Sequence, residues 1–146
     1  ADKWVEFMNA VLSNHTIYLL GAPGDKALAE QIKQASKHPN IVILCGQLNF
    51  LQSAALMKHA QMNFVNDSAP MHFASAVNAP VTAVYCSTLP SFGFGPLSDT
   101  SFIVEKEEPL YCRPCGLHGK KECPEGHFKC AYDIRLQQLL HSLPGH

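Results

Sequence analysis

The sequence predicts an α/β protein with a doubly wound, mostly parallel sheet that forms one domain over residues 1–146. Short apolar runs without polar alternation predict strands buried on both faces, as in a parallel sheet. Between these runs lie segments with apolar residues every three or four positions, which predict helices. The connections are short, which favours layered βαβ units with right-handed crossovers. A chain of this length can bury a substantial core.

The first half of the chain contains an opening helix, two strands and a second helix in this prediction. Trp4, Phe7 and Met8 have helical spacing and predict a helix over about residues 3–12. The apolar runs 16–20 and 41–45 each end at a glycine, which is typical of a strand leaving a sheet. A helix over about residues 26–37 stands between these strands and ends before Pro39.

The second half repeats this alternation. Helices are predicted over about residues 51–58, 71–77 and 132–143, the last from a set of leucines and Ile134 at helical spacing. Strands are predicted over residues 62–65, 81–86 and 101–104.

The composition excludes several classes of protein. Hydrophobic residues make up 47% of the chain, charged residues make up 16% and the net charge is −1, which argues against binding nucleic acid through a broad basic surface. No apolar run approaches the roughly 20 residues of a membrane span. We recognise no signal peptide, and the first residue is Ala1 rather than Met. We therefore expect either a processed chain or, preferably, an excised fragment.

The segment from Asn66 to Val77 combines an acid, a hydroxyl and small residues between a predicted strand and a predicted helix. A helix N-terminus presents free backbone N–H groups and a partial positive charge, so it suits a phosphate. The alternative is an ordinary helix start, capped by Asp67 or Ser68 with Pro70 in its first turn. In doubly wound sheets ligands bind beyond the carboxyl ends of the strands, where residues 21–25, 66–72 and 87–96 fall.

Four of the six cysteines are clustered at Cys112, Cys115, Cys123 and Cys130, with His118 and His127 among them. This spacing fits a zinc site, but disulfides or a reduced loop with packed thiols remain open. Cys45 and Cys86 lie in predicted strands and are expected to be buried. The remaining unassigned histidines are expected at the surface, namely His15, His38, His59, His141 and His146.

The order of motifs resembles a known family. The chain contains N-D-S-x-x-x-H-x-A-x-A from Asn66, a loop ending at Gly95-Pro96, and L-x-C-x-P-C…E-C-P-x-G-H-x-x-C from Leu110 to Cys130. Together they are similar to the glycosyltransferase family 9 heptosyltransferases of lipopolysaccharide core synthesis. The resemblance implies the C-terminal, Rossmann-like half of a two-domain GT-B fold, which binds a nucleotide-sugar donor such as ADP-heptose. Residues 109–131 would form a Cys-rich loop within this half.

The resemblance also implies site residues. The family motif D-T-G-x-x-H matches Asp67, Ser68, Ala69 and His72, which would bind the donor's diphosphate and sugar. Ala69 stands where the family usually has glycine, and its methyl group restricts how closely a phosphate approaches the backbone. Asp25 stands where a family glutamate accepts hydrogen bonds from the ribose, although it also suits a helix cap. Thr88 lies in a loop that resembles the family's T-x-P segment near the donor, although it also suits a turn.

The implied reaction is an inverting transfer of heptose that requires no cofactor, with the nucleotide sugar as substrate. The catalytic base and the acceptor site for lipid A-core would belong to an N-terminal half, and no catalytic residue is assigned here. Zinc at the four clustered cysteines stays possible but is not favoured. A cytoplasmic location is implied, with peripheral association of the full-length enzyme at the inner membrane. No nucleic-acid partner is expected.

Two other functions remain open. The chain could be a zinc-stabilised interaction module built on the Cys-rich loop, or a nucleotide-binding domain that performs no chemistry. Stoichiometric zinc would distinguish the first. Nucleotide binding without sugar transfer in the longer protein would distinguish the second.

Overall fold

A computed structural model describes residues 1–145, in two compact units that divide after Ser53. The helices are α1 (Asp2–Ala10), α2 (Lys26–Ala35), α3 (Phe50–Lys58), α4 (Ala69–Ala76), α5 (Lys129–Tyr132) and α6 (Leu136–Leu140). The strands are β1 (Ile17–Leu19), β2 (Ile41–Ile43), β3 (Asn63–Asn66), β4 (Val81–Tyr85) and β5 (Ser101–Glu105). The predicted alternation of helices and strands is thereby confirmed, with most boundaries displaced by one or two residues. Whether the chain is one domain stays a prediction.

The first unit is built on the parallel pair β1 and β2, in which Ile17 lies opposite Ile41. Phe7 and Met8 of α1 are buried, as their spacing predicts. The side-chain oxygen of Asn9 accepts hydrogen bonds from the Ser36 hydroxyl and the Lys37 amide at 2.8 and 2.6 Å. The end of α1 is thus tied to the residues that follow α2.

His38 is buried in this unit, so its predicted surface position is wrong. The Asn40 amide lies 3.2 Å from Nδ1 of His38, and Nε2 lies 3.2 Å from the Leu12 carbonyl oxygen. A neutral ring with its proton on Nε2 satisfies both contacts, since it accepts at Nδ1 and donates at Nε2. These two contacts hold the ring of His38 against the Leu12 carbonyl and the Asn40 amide, and so keep the side chain away from solvent. His146 lies outside the described residues.

The second unit contains the parallel sheet β3–β4–β5, with β4 in the centre. Every residue of β4 is buried, as predicted. The core of this unit consists of side chains from α3, β3, α4 and β4, namely Met57, Val65, Met71, Ala74, Ala79, Val81, Ala83 and Tyr85. The sheet with α4 beside it gives the Rossmann-like α/β fold that the sequence predicts.

Burial on both faces does not extend to the other strands, and there the prediction is wrong. Tyr18 and Val42 are opposite each other in β1 and β2, and both are exposed. Neighbouring residues in a strand face opposite sides of the sheet, so this pair marks one open face. Ile103 is exposed as well, in β5 at the edge of the second sheet.

The single helix predicted over residues 132–143 is also wrong, because α5 ends at Tyr132 and the short helix α6 begins only at Leu136. Arg135 is extended and precedes α6, and its amide donates to the Gln138 side chain at 2.8 Å. This local hydrogen bond starts a new helix where the apolar spacing indicated continuity. Ile134 and Leu139 are buried despite the break. None of the helices formed by residues 1–145 is long and apolar enough to cross a membrane.

Candidate functional site

The candidate site lies where β3 and β4 end side by side. These strands are parallel, with Asn66 opposite Val84, so their carboxyl ends share one edge of the sheet. The Asp67 amide continues the ladder by donating to the Val84 carbonyl at 3.2 Å. The loop after β3 therefore meets the loop after β4, which is the position where α/β sheets bind ligands.

Asp67 and Thr88, 21 residues apart, are brought together at this edge. The Thr88 hydroxyl donates a hydrogen bond of 2.5 Å to the Asp67 carboxylate. Thr88 is buried, with 7% of its surface exposed, and Asp67 is partly buried. A buried hydroxyl that already donates to a carboxylate is suited to fixing that carboxylate rather than to meeting a ligand itself.

The N-terminus of α4 follows Asp67 directly. Ser68 occupies the N-cap position in an extended conformation, and Pro70 lies in the first turn as predicted. The Ser68 hydroxyl donates to the Asn66 carbonyl at 3.3 Å, and no side chain forms a cap hydrogen bond to this helix. The prediction that Asp67 or Ser68 caps α4 through its side chain is wrong, because both side chains are engaged elsewhere. The start of the helix is left open to an external acceptor.

The remaining predicted residues of the motif lie on the same short helix. Ala69 is its first residue and His72 its fourth, and both are exposed. The structure thus places Asp67 and Ser68 just before α4 and Ala69 and His72 in its first four residues, and it adds Thr88 from the next loop. That they bind a donor stays a prediction.

Asp25 belongs to the first unit, where it has a local contact. Its carboxylate accepts a hydrogen bond from the Ala22 amide at 2.8 Å, at a single turn of 3-10 helix that precedes α2. A Cβ atom added at Gly21 would lie 2.9 Å from the Asp25 side chain, so this turn requires glycine. The contact is the capping role weighed for Asp25, and its role toward a ribose stays a prediction.

Tyr85, the last residue of β4, supports the site from inside the core. It is fully buried, and its hydroxyl donates to the Phe94 carbonyl at 2.8 Å. Burial, with the charges of Asp67 and Glu105 as smaller contributions, raises the pKa of Tyr85 to about 12. The hydroxyl therefore stays protonated and holds the loop that approaches Gly95 and Pro96.

The Cys-rich loop surrounds a cavity of about 660 Å³, whose lining includes Ser87, all four clustered cysteines and His127. All six cysteines are free thiols. The Cys112 sulfur lies 3.8 Å from Nε2 of His127. Within residues 1–145, however, no group of three or more His, Cys, Asp or Glu side chains is arranged to hold a metal ion. Cys45 is buried as predicted, whereas Cys86 is only partly buried.

The Cys-rich loop donates hydrogen bonds to the loop after β4 from Cys115 and Arg113. The Cys115 amide donates to the Ser87 carbonyl at 2.8 Å. Arg113 donates through Nη2 to the Thr88 carbonyl at 2.7 Å and to the Glu105 carboxylate at 2.5 Å. Sequence reasoning assigned no role to Arg113. Its place between Cys112 and Pro114 was visible, but nothing local in the sequence shows which loop its side chain reaches.

Comparison with known proteins identifies the family of this arrangement. The sequence profile described as glycosyltransferase family 9 (heptosyltransferase) matches residues 1–128, which is most of the chain. The chain belongs to glycosyltransferase family 9. The resemblance drawn from the motifs is therefore confirmed.

Individual members of family 9 support the same assignment. Over 98% of its length the chain is 31% identical to lipooligosaccharide heptosyltransferase 2 of Haemophilus influenzae, of which it covers 42%. It is 28% identical to the protein of the same name from Haemophilus ducreyi, of which it covers 43%. The chain thus spans about two fifths of the length of these relatives.

Solved structures of family 9 proteins share the fold. The structure of Escherichia coli ADP-heptose lps heptosyltransferase II matches 96% of this chain with a TM-score of 0.75 and 22% identity, over 39% of its own length. A family 9 glycosyltransferase from Veillonella parvula matches 97% of this chain with a TM-score of 0.76 and 18% identity, also over 39%. At these identities the likeness bears on the fold alone.

Proposed function

We propose that this chain forms the donor-binding part of an inverting heptosyltransferase that acts in lipopolysaccharide core synthesis. The donor would be a nucleotide sugar of the ADP-heptose type. The proposal rests on one structural observation, namely that α4 begins without a side-chain cap while Asp67 beside it is held by Thr88. Family membership and the heptosyltransferase relatives favour a heptosyl donor.

The open start of α4 suits the diphosphate of the donor. The amides of Ser68 and Ala69 and the helix dipole would offer positive potential to the phosphate oxygens. The Ser68 hydroxyl bonds only to a local carbonyl at 3.3 Å, so it can turn toward a phosphate at little cost. His72 is exposed one turn further along α4 and would face the phosphate or the sugar.

Asp67 would serve a different part of the donor, because a carboxylate repels phosphate. We assign it to accepting hydrogen bonds from a sugar hydroxyl and to fixing the start of α4, so its loss would weaken the binding of ADP as well as of the sugar. Thr88 keeps the carboxylate oriented for this purpose. The methyl group of Ala69 limits the closest approach of a phosphate, so its contact with the Ala69 amide would be longer than in a relative with glycine there.

In the proposed transfer the acceptor hydroxyl attacks the anomeric carbon of the heptose. The bond from that carbon to the phosphate oxygen breaks, a new carbon–oxygen bond forms with inversion, and the proton passes to a base. We place the base and the lipid A-core acceptor site in a further part of the full-length protein. The role of this chain is to stabilise the negative charge that develops on ADP, through groups that are already oriented.

The proposed transfer requires no cofactor, since the nucleotide sugar is itself the substrate. We also propose a cytoplasmic location, with peripheral association of the full-length enzyme at the inner membrane.

Calorimetric titration of the chain with ADP-heptose tests this function. We expect the chain to bind ADP-heptose, and we expect ADP, but not UDP or GDP, to compete with it. Asp67→Ala should weaken this binding. Equal affinity for all three nucleotides, or no binding of ADP-heptose, would contradict the proposal. An assay of the full-length protein for heptose transfer then distinguishes an enzyme from a nucleotide-binding domain without chemistry.

The zinc-stabilised module remains the second candidate because the four clustered cysteines and His127 line one cavity. Metal analysis of the purified chain addresses it directly. One equivalent of zinc, together with unfolding on chelation, would favour the module. ADP-heptose binding by the metal-free chain would count against it.

A further inference from the structure

Arg113 lies, with most of its side chain covered, at the junction between the Cys-rich loop and the candidate site. Only 10% of its side chain is exposed. Its Nη2 atom donates to both the Thr88 carbonyl and the Glu105 carboxylate, at 2.7 and 2.5 Å. The ion pair with Glu105 offsets the burial of the guanidinium charge, and it places the guanidinium between the end of β5 and the loop after β4.

The loop after β4 is held at two consecutive carbonyls. The Cys115 amide binds the Ser87 carbonyl, and Arg113 binds the Thr88 carbonyl. Gly119 also lies against this loop, since a Cβ atom added there would lie 2.6 Å from the Ser87 hydroxyl. The Cys-rich loop therefore contacts the backbone that carries Thr88 at several points, and Arg113 supplies the charged one.

The Thr88 residue joins these contacts to the candidate site. Its carbonyl accepts from Arg113, while its hydroxyl donates to Asp67. A hydrogen bond of 2.5 Å between Thr88 and Asp67 depends on where the Thr88 backbone lies, because the short side chain has little reach. Any shift of this backbone would be passed to the carboxylate.

We propose that Arg113 is a positioning residue of the donor site, which acts by fixing the Thr88 backbone so that the Thr88 hydroxyl holds Asp67 beside α4. This inference rests on the proposed function. It goes beyond the motif residues, since it gives the Cys-rich loop a part in donor binding that needs neither a disulfide nor a metal ion.

One feature of Arg113 is consistent with such a role. Its Nε atom is buried and has no hydrogen-bond partner, which is true of no other buried side-chain nitrogen or oxygen among the described residues. An unpaired buried donor lowers stability, so the guanidinium is not placed for the best pairing of its own atoms. Its position is instead the one that lets a single nitrogen bind both Thr88 and Glu105.

A double-mutant cycle tests the proposal. The variants are Arg113→Met, Thr88→Val and the combination, and the exposed Arg135→Met is a matched control that removes an arginine paired with Glu107. We expect Arg113→Met to weaken ADP binding about tenfold and Arg135→Met to leave it unchanged. In the Thr88→Val background, removal of Arg113 should have almost no further effect. An equal loss in both backgrounds would overturn the proposal.

Amide NMR spectra of the unliganded protein give a readout that does not depend on ADP. Arg113→Met should shift the amides of Asp67 and Ser68, whereas Arg135→Met should not. Unmoved Asp67 and Ser68 amides would overturn the positioning role even if ADP binds normally. A wild-type chain that fails to bind ADP would overturn the proposed function and, with it, the claim that Arg113 serves a donor site.

Arg113→Lys is the conservative variant to be used if Arg113→Met does not fold. Lysine keeps the charge but lacks the planar, rigid donor group of arginine. We expect it to restore the fold and part of the ADP affinity. Full wild-type ADP affinity in both Arg113→Lys and Arg113→Gln would contradict a specific role for the guanidinium.

Discussion

The Thr88 hydroxyl donates a hydrogen bond of 2.5 Å to the Asp67 carboxylate, and this contact joins the loops that follow two neighbouring parallel strands. It also explains why Asp67 does not cap α4. One acidic side chain is thereby kept available at the sheet edge while the start of the helix stays open. The proposed donor site depends on this separation of roles.

Replacing Thr88 tests the structural value of that hydrogen bond. Thr88→Val keeps the shape of the side chain but leaves the Asp67 carboxylate without its donor. We expect a loss of about 1–3 kcal/mol in the free energy of unfolding, since the acceptor is charged and partly buried. Thr88→Ser keeps the hydroxyl and should lose less. Urea unfolding measures both, and equal stability of the two variants would show that the hydroxyl contributes nothing.

The hydrogen bond from Tyr85 to Phe94, in the loop after β4, can be tested in the same way. Tyr85→Phe leaves the Phe94 carbonyl without the donor that it has at 2.8 Å. We expect a loss of about 1–2 kcal/mol in the free energy of unfolding. The control is Tyr111→Phe, because the Tyr111 hydroxyl binds Glu125 at the surface and should contribute only a few tenths. Urea unfolding that ranks the two variants in the opposite order would refute the assignment.

The buried pair Thr82 and Ser142 tests how the C-terminal segment is attached to β4. The Thr82 hydroxyl donates to the Ser142 hydroxyl at 2.7 Å, and Ser142 donates in turn to the Leu139 carbonyl at 2.8 Å. Ser142→Ala strands the Thr82 donor and should cost about 1–3 kcal/mol, more than Thr82→Val. The double variant should cost less than the sum of the two. Additive losses in urea unfolding would mean that the hydroxyls are not coupled.

The Cys86 thiol should make the free energy of unfolding depend on pH in the alkaline range. Burial, with a smaller contribution from Cys130, raises the pKa of the Cys86 thiol from 9.0 to about 11. Between these values the unfolded chain has lost a proton that the folded protein keeps. The free energy of unfolding should therefore fall as pH rises through this window, by up to about 1.4 kcal/mol per pH unit for this group.

Cys86→Ala removes this contribution, so the variant should lose stability less steeply than the wild type above pH 9. Urea unfolding in the presence of a reductant, at several pH values from 8 to 11, measures the difference. Identical slopes for the two proteins would show that the Cys86 thiol is not shielded from water in the way its burial indicates.

The parts that sequence reasoning predicted are those encoded locally. The apolar run of β4 and the small residues of α4 indicate their structures from neighbouring positions alone, and both were correct. The helix over residues 132–143 failed because a hydrogen bond between Arg135 and Gln138 competes with the apolar spacing. The spacing of apolar residues carries no information about such a hydrogen bond, so it cannot predict that a new helix begins there.

The candidate site divides in the same way. The grouping of Asp67, Ser68, Ala69 and His72 follows from their nearness in sequence at the start of α4. The contact from Arg113 to Thr88 spans 25 residues and depends on how the Cys-rich loop folds back onto the sheet. No pattern among neighbouring residues predicts a contact between positions so far apart in sequence. The role of Arg113 could therefore be seen only in the structure.

We expect the start of α4 to bind the diphosphate of an adenine nucleotide, and an amide NMR titration of the chain with ADP measures this binding residue by residue. UDP, GDP and the Asp67→Ala variant are the controls. We predict shifts concentrated at Ser68, Ala69 and His72 that are larger for ADP than for UDP or GDP and that weaken in the variant. Millimolar ADP that leaves the Ser68 and Ala69 amides unmoved would contradict the claim.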